Sequence, residues 1–233
     1  MTEPSTTEPS TNGPTTATPA PSARTRIRRI AENADYQRST LYAILDAAYV
    51  CHIAFADAQG THNIPTACWR SGEYLYIHGS NGGRLLKLLA GGTPACVAIS
   101  HVDGLVLARS AFNHSMNYRS AVVYGTFERV AADADKRAAM DAFMDHIAPG
   151  RNADIRQGSA KEFAATTVMR IALDEAVCKV RTGPPVDDAE DMAIPAWTGV
   201  LPLVQTRAAP VVDAAGPGAM PGYVRGWAEV ATV

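Results

Sequence analysis

The stretch His78-Gly79-Ser80-Asn81-Gly82-Gly83-Arg84-Leu85-Leu86-Lys87 concentrates the chemistry of anion binding. Glycines let backbone N–H groups approach an anion, a helix opens where they end, and Arg84 and Lys87 stand at i and i+3 on one of its faces. In physical terms this is a phosphate cradle. Its spacing is neither the Walker pattern nor the dinucleotide fingerprint, and the plain alternative is a glycine-rich turn before a helix carrying two solvated cations.

Two further stretches carry polar groups in unusual places. Asp103-Gly104-Leu105-Val106-Leu107-Ala108-Arg109-Ser110 runs into His114-Ser115-Met116-Asn117-Tyr118-Arg119-Ser120, a polar junction leading straight into the apolar Ala121-Val122-Val123-Tyr124. Such a junction calls for a ligand or an interface to satisfy its groups, or else is a surface connection. Lys179 and Arg181 share one face of an extended segment, and Trp197 lies on a proline-bracketed arm, where it either docks on the body or a second subunit or plugs the end of a barrel. Hydrolytic signatures are missing: no G-x-S-x-G, no H-E-x-x-H. The histidines at 52, 62, 78, 101, 114 and 146 fall singly on different elements. The 4 cysteines, Cys51, Cys68, Cys96 and Cys178, are far apart and sit mostly in apolar runs, so they read as buried, reduced thiols, and no metal site is expected.

The elements that must position these groups are short. A helix begins near Leu41, with Thr40 or Ser39 as its cap and Leu41, Ile44, Leu45 and Ala48 on one face. The period then becomes two. Strands are predicted over 50–57, 62–69 and 73–78 in meander order, then over 95–101, 105–111, 119–129, 167–173 and 176–181. Helices are predicted over 84–90, closed by Gly91-Gly92, and over 133–147, with Met140, Phe143, Met144 and Ile147 on one side and Pro149-Gly150 as the stop. Many short strands joined by tight turns favour a mainly β, antiparallel barrel with a few helices over a doubly wound parallel sheet.

Of 233 residues, 21 are basic and 23 acidic, which gives no field for nucleic acid or an anionic membrane. No apolar run spans a bilayer and no secretory signal is evident, so a cytoplasmic protein is expected. Of 15 prolines only Pro65, Pro94 and Pro149 fall between residues 22 and 183. That distribution divides the chain into a solvated Thr/Pro/Ser-rich tail (1–24), a compact domain (25–182), an ordered arm (183–205) and a loose end (206–233).

The runs Tyr36-Gln37-Arg38-Ser39-Thr40-Leu41, Tyr76-Ile77-His78-Gly79-Ser80, Asp103 to Ser110, His114-Ser115-Met116-Asn117-Tyr118-Arg119-Ser120 and Lys179-Val180-Arg181-Thr182-Gly183-Pro184-Pro185 together resemble the pyridoxamine 5'-phosphate oxidase-like flavin-nucleotide-binding proteins. The branch related to nitroimidazole resistance reductases is the nearest in pattern, and the match spans about residues 26–205. The resemblance implies an FMN-binding split β-barrel, Greek-key-like, that works as a homodimer with each flavin at the subunit interface. It implies that Ser80, Gly83, Arg84 and Lys87 receive the flavin phosphate and that His62, Ile64, Pro65 and Thr66 lie along the isoalloxazine. Asn117, Tyr118, Arg119 and Ser120 would approach from the facing strand or the other subunit, with Arg119 beside the pyrimidine edge. Lys179, Arg181 and Trp197 complete the implied cofactor-binding set, and His78 is the implied proton donor on the substrate side. The implied activity is two-electron reduction of a small electron-poor substrate such as a nitro-aromatic. A non-catalytic flavin or haem carrier and an F420-dependent reductase are the alternatives, and the arginine-bearing C-terminal strand of the vitamin B6 oxidases is not found.

Overall fold

The structure, a computed structural model, describes residues 18–216 and 218–227. Residues 1–17, most of the Thr/Pro/Ser-rich tail, and the last six residues of the loose end lie outside the described residues. In chain order the elements are β1 (Ala34–Asp35), α1 (Arg38–Asp46), β2 (Val50–Asp57), β3 (Gly60–Ala67), β4 (Trp69–Ser71), β5 (Tyr74–Ser80), α2 (Arg84–Ala90), β6 (Pro94–Leu107), β7 (Ser115–Thr126), β8 (Glu128–Arg129), α3 (Asp133–Ile147), α4 (Ala160–Ala165), β9 (Thr166–Ala172), β10 (Ala176–Arg181), β11 (Gly199–Pro202) and α5 (Gly222–Arg225).

All strand pairs are antiparallel. One sheet runs β1-β10-β7-β6-β2-β3, with β11 added to β6, and a second runs β4-β5-β9-β8. The two sheets face each other without closing, which makes a split barrel. Period-two patterning decides the faces: Cys51, Ile53 and Phe55 of β2 point inward and His52 outward. The inner residues meet Leu75 and Ile77 of β5, Val97 and Ile99 of β6 and Ile171 of β9, and α1 closes the core with Leu41, Ile44 and Leu45.

Several expected boundaries shift for identifiable reasons. The single strand read over 62–69 divides at Cys68, where the chain leaves the first sheet for the second, so the early strands form two hairpins in different sheets instead of one meander. The strands expected over 95–101 and 105–111 are one 14-residue strand, β6, which passes through Asp103-Gly104 with a bulge between Val102 and Gly104. Consequently β7 begins at Ser115, and the polar junction is strand from there on. Neither Ser39 nor Thr40 caps α1. The helix starts one turn earlier in the Asp35 neighbourhood, and the Asp35 carboxylate accepts from the Gln37 amide and the Thr40 hydroxyl, each at 2.7 Å. In α3 the fully buried residues are Lys136 and Ala139, while Met140 and Phe143 pack partly buried against a satellite cluster around Trp69, Tyr76 and Val168.

Two glycines shape the ground under the cradle. The β2–β3 hairpin closes at Gly60, whose φ of 112° is open to glycine, after the Asp57 carboxylate accepts the Gln59 amide at 2.8 Å. At Gly79 a Cβ would stand 2.9 Å from Cδ1 of Leu86, so the bare backbone lets α2 lie directly on β5.

Residues 18–24, read from the sequence as tail, touch the body. Ser22 donates to Glu175 at 2.6 Å, Arg24 pairs with the same carboxylate, and the Arg24 guanidinium lies 4.6 Å from the Tyr124 ring centre. Toward the other end the Tyr223 hydroxyl donates to Asp154 at 2.8 Å.

The thiols are free, with Cys51, Cys68 and Cys178 buried and Cys96 half-buried. Hydrogen bonding with Cys68 and burial hold the Cys51 thiol far above the usual range, and burial pushes Cys178 up to about 12. A thiol titration is therefore expected to find Cys51, Cys68 and Cys178 silent in the native protein, Cys96 slow, and all four reactive after denaturation. Rapid native modification of two or more would contradict this packing.

Candidate functional site

The cradle residues meet a partner that the sequence reading left out. Arg84, at the start of α2, pairs through Nη2 with Oδ2 of Asp57 and lies 3.2 Å from Nε2 of His62. His62 in turn holds Oδ1 of Asp57 at 2.9 Å, and its ring stacks on Phe55 with centroids 5.1 Å apart. Hydrogen bonds from His62 and the Gln59 amide, and the charged Arg84, hold the Asp57 carboxyl below the usual carboxylate range. In the sequence Asp57 is only the last residue of the strand predicted over 50–57. Its position five residues before His62, across a tight hairpin, is the signal that was available.

The glycine loop itself is internally bonded. The Asn81 amide donates to the Ala165 carbonyl at 3.0 Å, Gly82 to the Ser80 hydroxyl at 3.3 Å, and Gly83 to the Ser80 carbonyl at 2.9 Å. The amides of Asn81, Gly82 and Gly83 are thus taken, and the donors left for an anion are the first-turn amides of α2, which no side chain caps, and the side chains of Arg84, exposed Lys87 and half-buried His62. On β3, Ile64 packs on the core and Thr66 shares its face, while Pro65 points the other way on the sheet's edge, where a missing ladder donor costs nothing.

A second group forms at the far end of β7. Arg119 makes a two-pronged pair with Asp103, both bonds 2.9 Å. Asn117 accepts from Arg181 at 2.6 Å and donates to the Gly183 carbonyl at 3.1 Å, and Arg181 also reaches the Pro184 carbonyl at 3.2 Å. Tyr118 is half-buried opposite Arg181. The Ser120 hydroxyl donates to the Lys179 carbonyl at 3.2 Å, and Lys179 donates to the Arg29 carbonyl at 3.2 Å. The polar junction is therefore satisfied by β6, β10 and the start of the arm that follows β10. Asp187, whose side chain is 3% exposed, accepts from both the amide and the guanidinium of Arg109 at 2.7 Å. Burial opposes its ionisation, but those bonds hold its carboxyl below the usual range.

Between this group, the end of α1 and residues 203–208 lies a cavity of about 740 Å³, lined by His101, Arg119, Tyr49, Arg207 and Trp227 among others. Trp197 stands apart on the arm, 66% exposed, just before β11.

His78 meets none of these residues. It stands on β5 in the second sheet with its ring between Trp69 and Phe143, at centroid distances of 5.6 and 4.6 Å. Its Nδ1 is buried without a partner among the described residues, as is the neighbouring Trp69 Nε1, and burial lowers its pKa from the ordinary imidazole value, favouring the neutral ring. Among the described residues no group of three or more His, Cys, Asp and Glu is placed to hold a metal ion, and no helix is long and apolar enough to cross a membrane.

Residues 37–180 match the pyridoxamine 5'-phosphate oxidase family. The chain belongs to this family. The flavocytochrome Anf3 from Azotobacter vinelandii is 39% identical, with a TM-score of 0.85 over 89% of this chain and 98% of that one. An FAD- and haem-binding protein from Mycobacterium smegmatis is 38% identical, with a TM-score of 0.79 over 84% of this chain and 97% of that one. A candidate 5-nitroimidazole antibiotic resistance protein from Bacteroides thetaiotaomicron is 22% identical, with a TM-score of 0.54 over 63% and 86%, and shares the fold. No curated protein matches the chain significantly.

Proposed function

We propose that this member of the pyridoxamine 5'-phosphate oxidase family is a flavin-nucleotide oxidoreductase that works as a homodimer and transfers two electrons to a small electron-poor acceptor. The observation that carries this reading is the meeting of Arg84 and His62 at the start of α2, with exposed Lys87 one helical turn further on. These are three nitrogen donors, at least two of them cationic, on a β3–α2 corner in a flavin-binding family. They fit the phosphate of a flavin nucleotide. When bound, the flavin supplies the hydride chemistry. The chain's own residues bind its phosphate and orient it along β3. Arg119 offers guanidinium N–H groups toward a developing negative charge, its own charge being balanced by the Asp103 carboxylate. The polar ends of β6 and β7, with Val102, Leu105 and Met116 exposed beside them, are the surface through which a second subunit completes the site.

One specific observation favours a second reading, in which the protein carries haem as well as flavin. The two similar structures at 39% and 38% identity are a flavocytochrome and an FAD- and haem-binding protein, each matched over more than four fifths of this chain.

The test is the purified protein. Flavin absorption, identification of the released nucleotide by mass spectrometry, and reoxidation of the reduced protein by nitro-aromatics or quinones in stopped flow are the expected results. A colourless protein that takes up no added flavin overturns the reading. A Soret band on haemin addition promotes the second one, and reduction without acceptor-dependent reoxidation leaves a carrier.

A further inference from the structure

The cavity of about 740 Å³ at the end of α1 shares only Arg119 and its partner Asp103 with the groups assigned to the flavin above, and it is roofed by the chain's own C-terminal part. After β11, residues 203–227 form a strap tied to the body at both ends. The Leu203 amide donates to the Asp103 carbonyl at 3.0 Å, and the Tyr223 hydroxyl donates to Asp154 at 2.8 Å and accepts from Arg151 at 3.2 Å. Close packing leaves few voids larger than a water molecule, whereas this space, held open beneath a tied strap, has the size of a small-molecule site.

The lining selects a chemical class. Both of its carboxylates are already engaged: Asp46 takes two bonds of 2.8 Å from Arg70, and Asp103 takes two of 2.9 Å from Arg119. His101 is turned to the Ile44 carbonyl, with Nε2 at 3.1 Å. A cationic ligand would therefore meet no free carboxylate. Arg207 of the strap has no carboxylate partner among the described residues, and its guanidinium lies over the Trp227 ring, 4.1 Å from the centre. Stacking holds the guanidinium in place while its N–H edge stays open to an acceptor, so less freedom is lost when an anion pairs with it. The Trp227 indole and the Tyr49 phenol add flat apolar surface to the same lining.

We infer that this cavity binds a planar aromatic carboxylate, with Arg207 pairing the carboxylate and Trp227 and Tyr49 packing against the ring. Its role rests on the flavin reading above: because Arg119 belongs to both sites, the bound molecule is the electron acceptor. For a nitro-substituted ring, two electrons from the reduced flavin and two protons from solvent convert the nitro group to a nitroso group and water.

The experiment is calorimetric titration of the purified full chain with para-nitrobenzoate and with nitrobenzene, its neutral counterpart. The wild type is expected to bind the carboxylate at least about tenfold tighter than nitrobenzene. Arg207→Ala is expected to cut that preference below about threefold with nitrobenzene binding unchanged, and Trp227→Ala to weaken both ligands by at least about tenfold. Arg225→Ala, a guanidinium on α5 outside the lining, is expected to leave both unchanged. A wild type without the preference overturns the inference even where the variants do not fold, and so does an Arg207→Ala protein that keeps the preference. Displacement of para-nitrobenzoate by FMN or haemin also overturns it, since the cavity then belongs to a cofactor. Flavin-loaded protein that fails these tests leaves the flavin reading intact. Protein that takes up no flavin yet binds para-nitrobenzoate through Arg207 keeps the site and overturns the flavin reading, and with it the acceptor role.

Discussion

Replacing Arg84 and Lys87 together with alanine is expected to weaken FMN or FAD binding by at least about a hundredfold, with riboflavin binding unchanged. A hydrogen bond to a charged group is worth about 1.5–3 kcal/mol, so two of them set a range of about 3–6 kcal/mol, or 10²–10⁴ in affinity. Both side chains are exposed, which places the effect toward the lower end. Riboflavin has no phosphate, so it separates loss of the charge contacts from damage to the ring site. The fold is expected to survive, because neither side chain enters the core and α2 is anchored by buried Leu86 and Leu89. Arg156→Ala serves as the control, since that guanidinium is paired with Glu162 beside α4. A double variant that binds FMN and FAD like the wild type would remove Arg84 and Lys87 from the phosphate site. One that loses riboflavin equally would point to a structural role instead.

The part of this arrangement legible in the sequence is the part governed by local rules. Period-two alternation gave β2 its bounds, a glycine pair and a proline-glycine pair closed α2 and α3, and the class of fold followed from the number of short strands. The change of sheet at Cys68 and the bulge at Asp103 were not legible, because both are decided by which strand lies alongside, and a strand's sequence records its faces but not its neighbours. Site composition divided the same way. Arg84 and Lys87 announced themselves through helical spacing, whereas the family pattern put His62 along the isoalloxazine, and its place beside Arg84 appears only in the fold. Asp57 and Asp187 are not picked out in the sequence, and Asp103 stands there only as part of a polar stretch, for a common reason: each looks like a turn or loop acid until the partner arginine, between 16 and 78 residues away, is known to be adjacent. Carboxylates that balance a site's cations are therefore its least visible members from sequence, although they set its net charge.

Trp69→Ala is expected to destabilise the protein by about 3–5 kcal/mol in chemical denaturation, the range for emptying a large aromatic site, while Trp69→Phe costs less than about 1.5 kcal/mol. The indole is fully buried, stacked on Tyr76 and tilted against Phe143, with centroids at 5.7 and 4.8 Å, so alanine leaves a cavity that α3 and β5 cannot collapse around. Phenylalanine keeps most of that packing and also removes the buried Nε1–H that has no acceptor, recovering part of the lost contact energy. Trp69 also forms one wall around His78, and this gives a second readout. Burial lowers the His78 pKa in the folded state, so the unfolded chain binds the extra proton first, and wild-type stability falls as pH drops below about 6.5, the ordinary imidazole value. Opening the wall in Trp69→Ala readmits water, so the His78 titration followed by NMR is expected to move back up toward that value and the acid-side slope of stability to shrink. Equal costs for alanine and phenylalanine, or a His78 titration unmoved by the alanine, would show that the aromatic cluster does not shield the imidazole. The unpartnered Nδ1 would then need another cause.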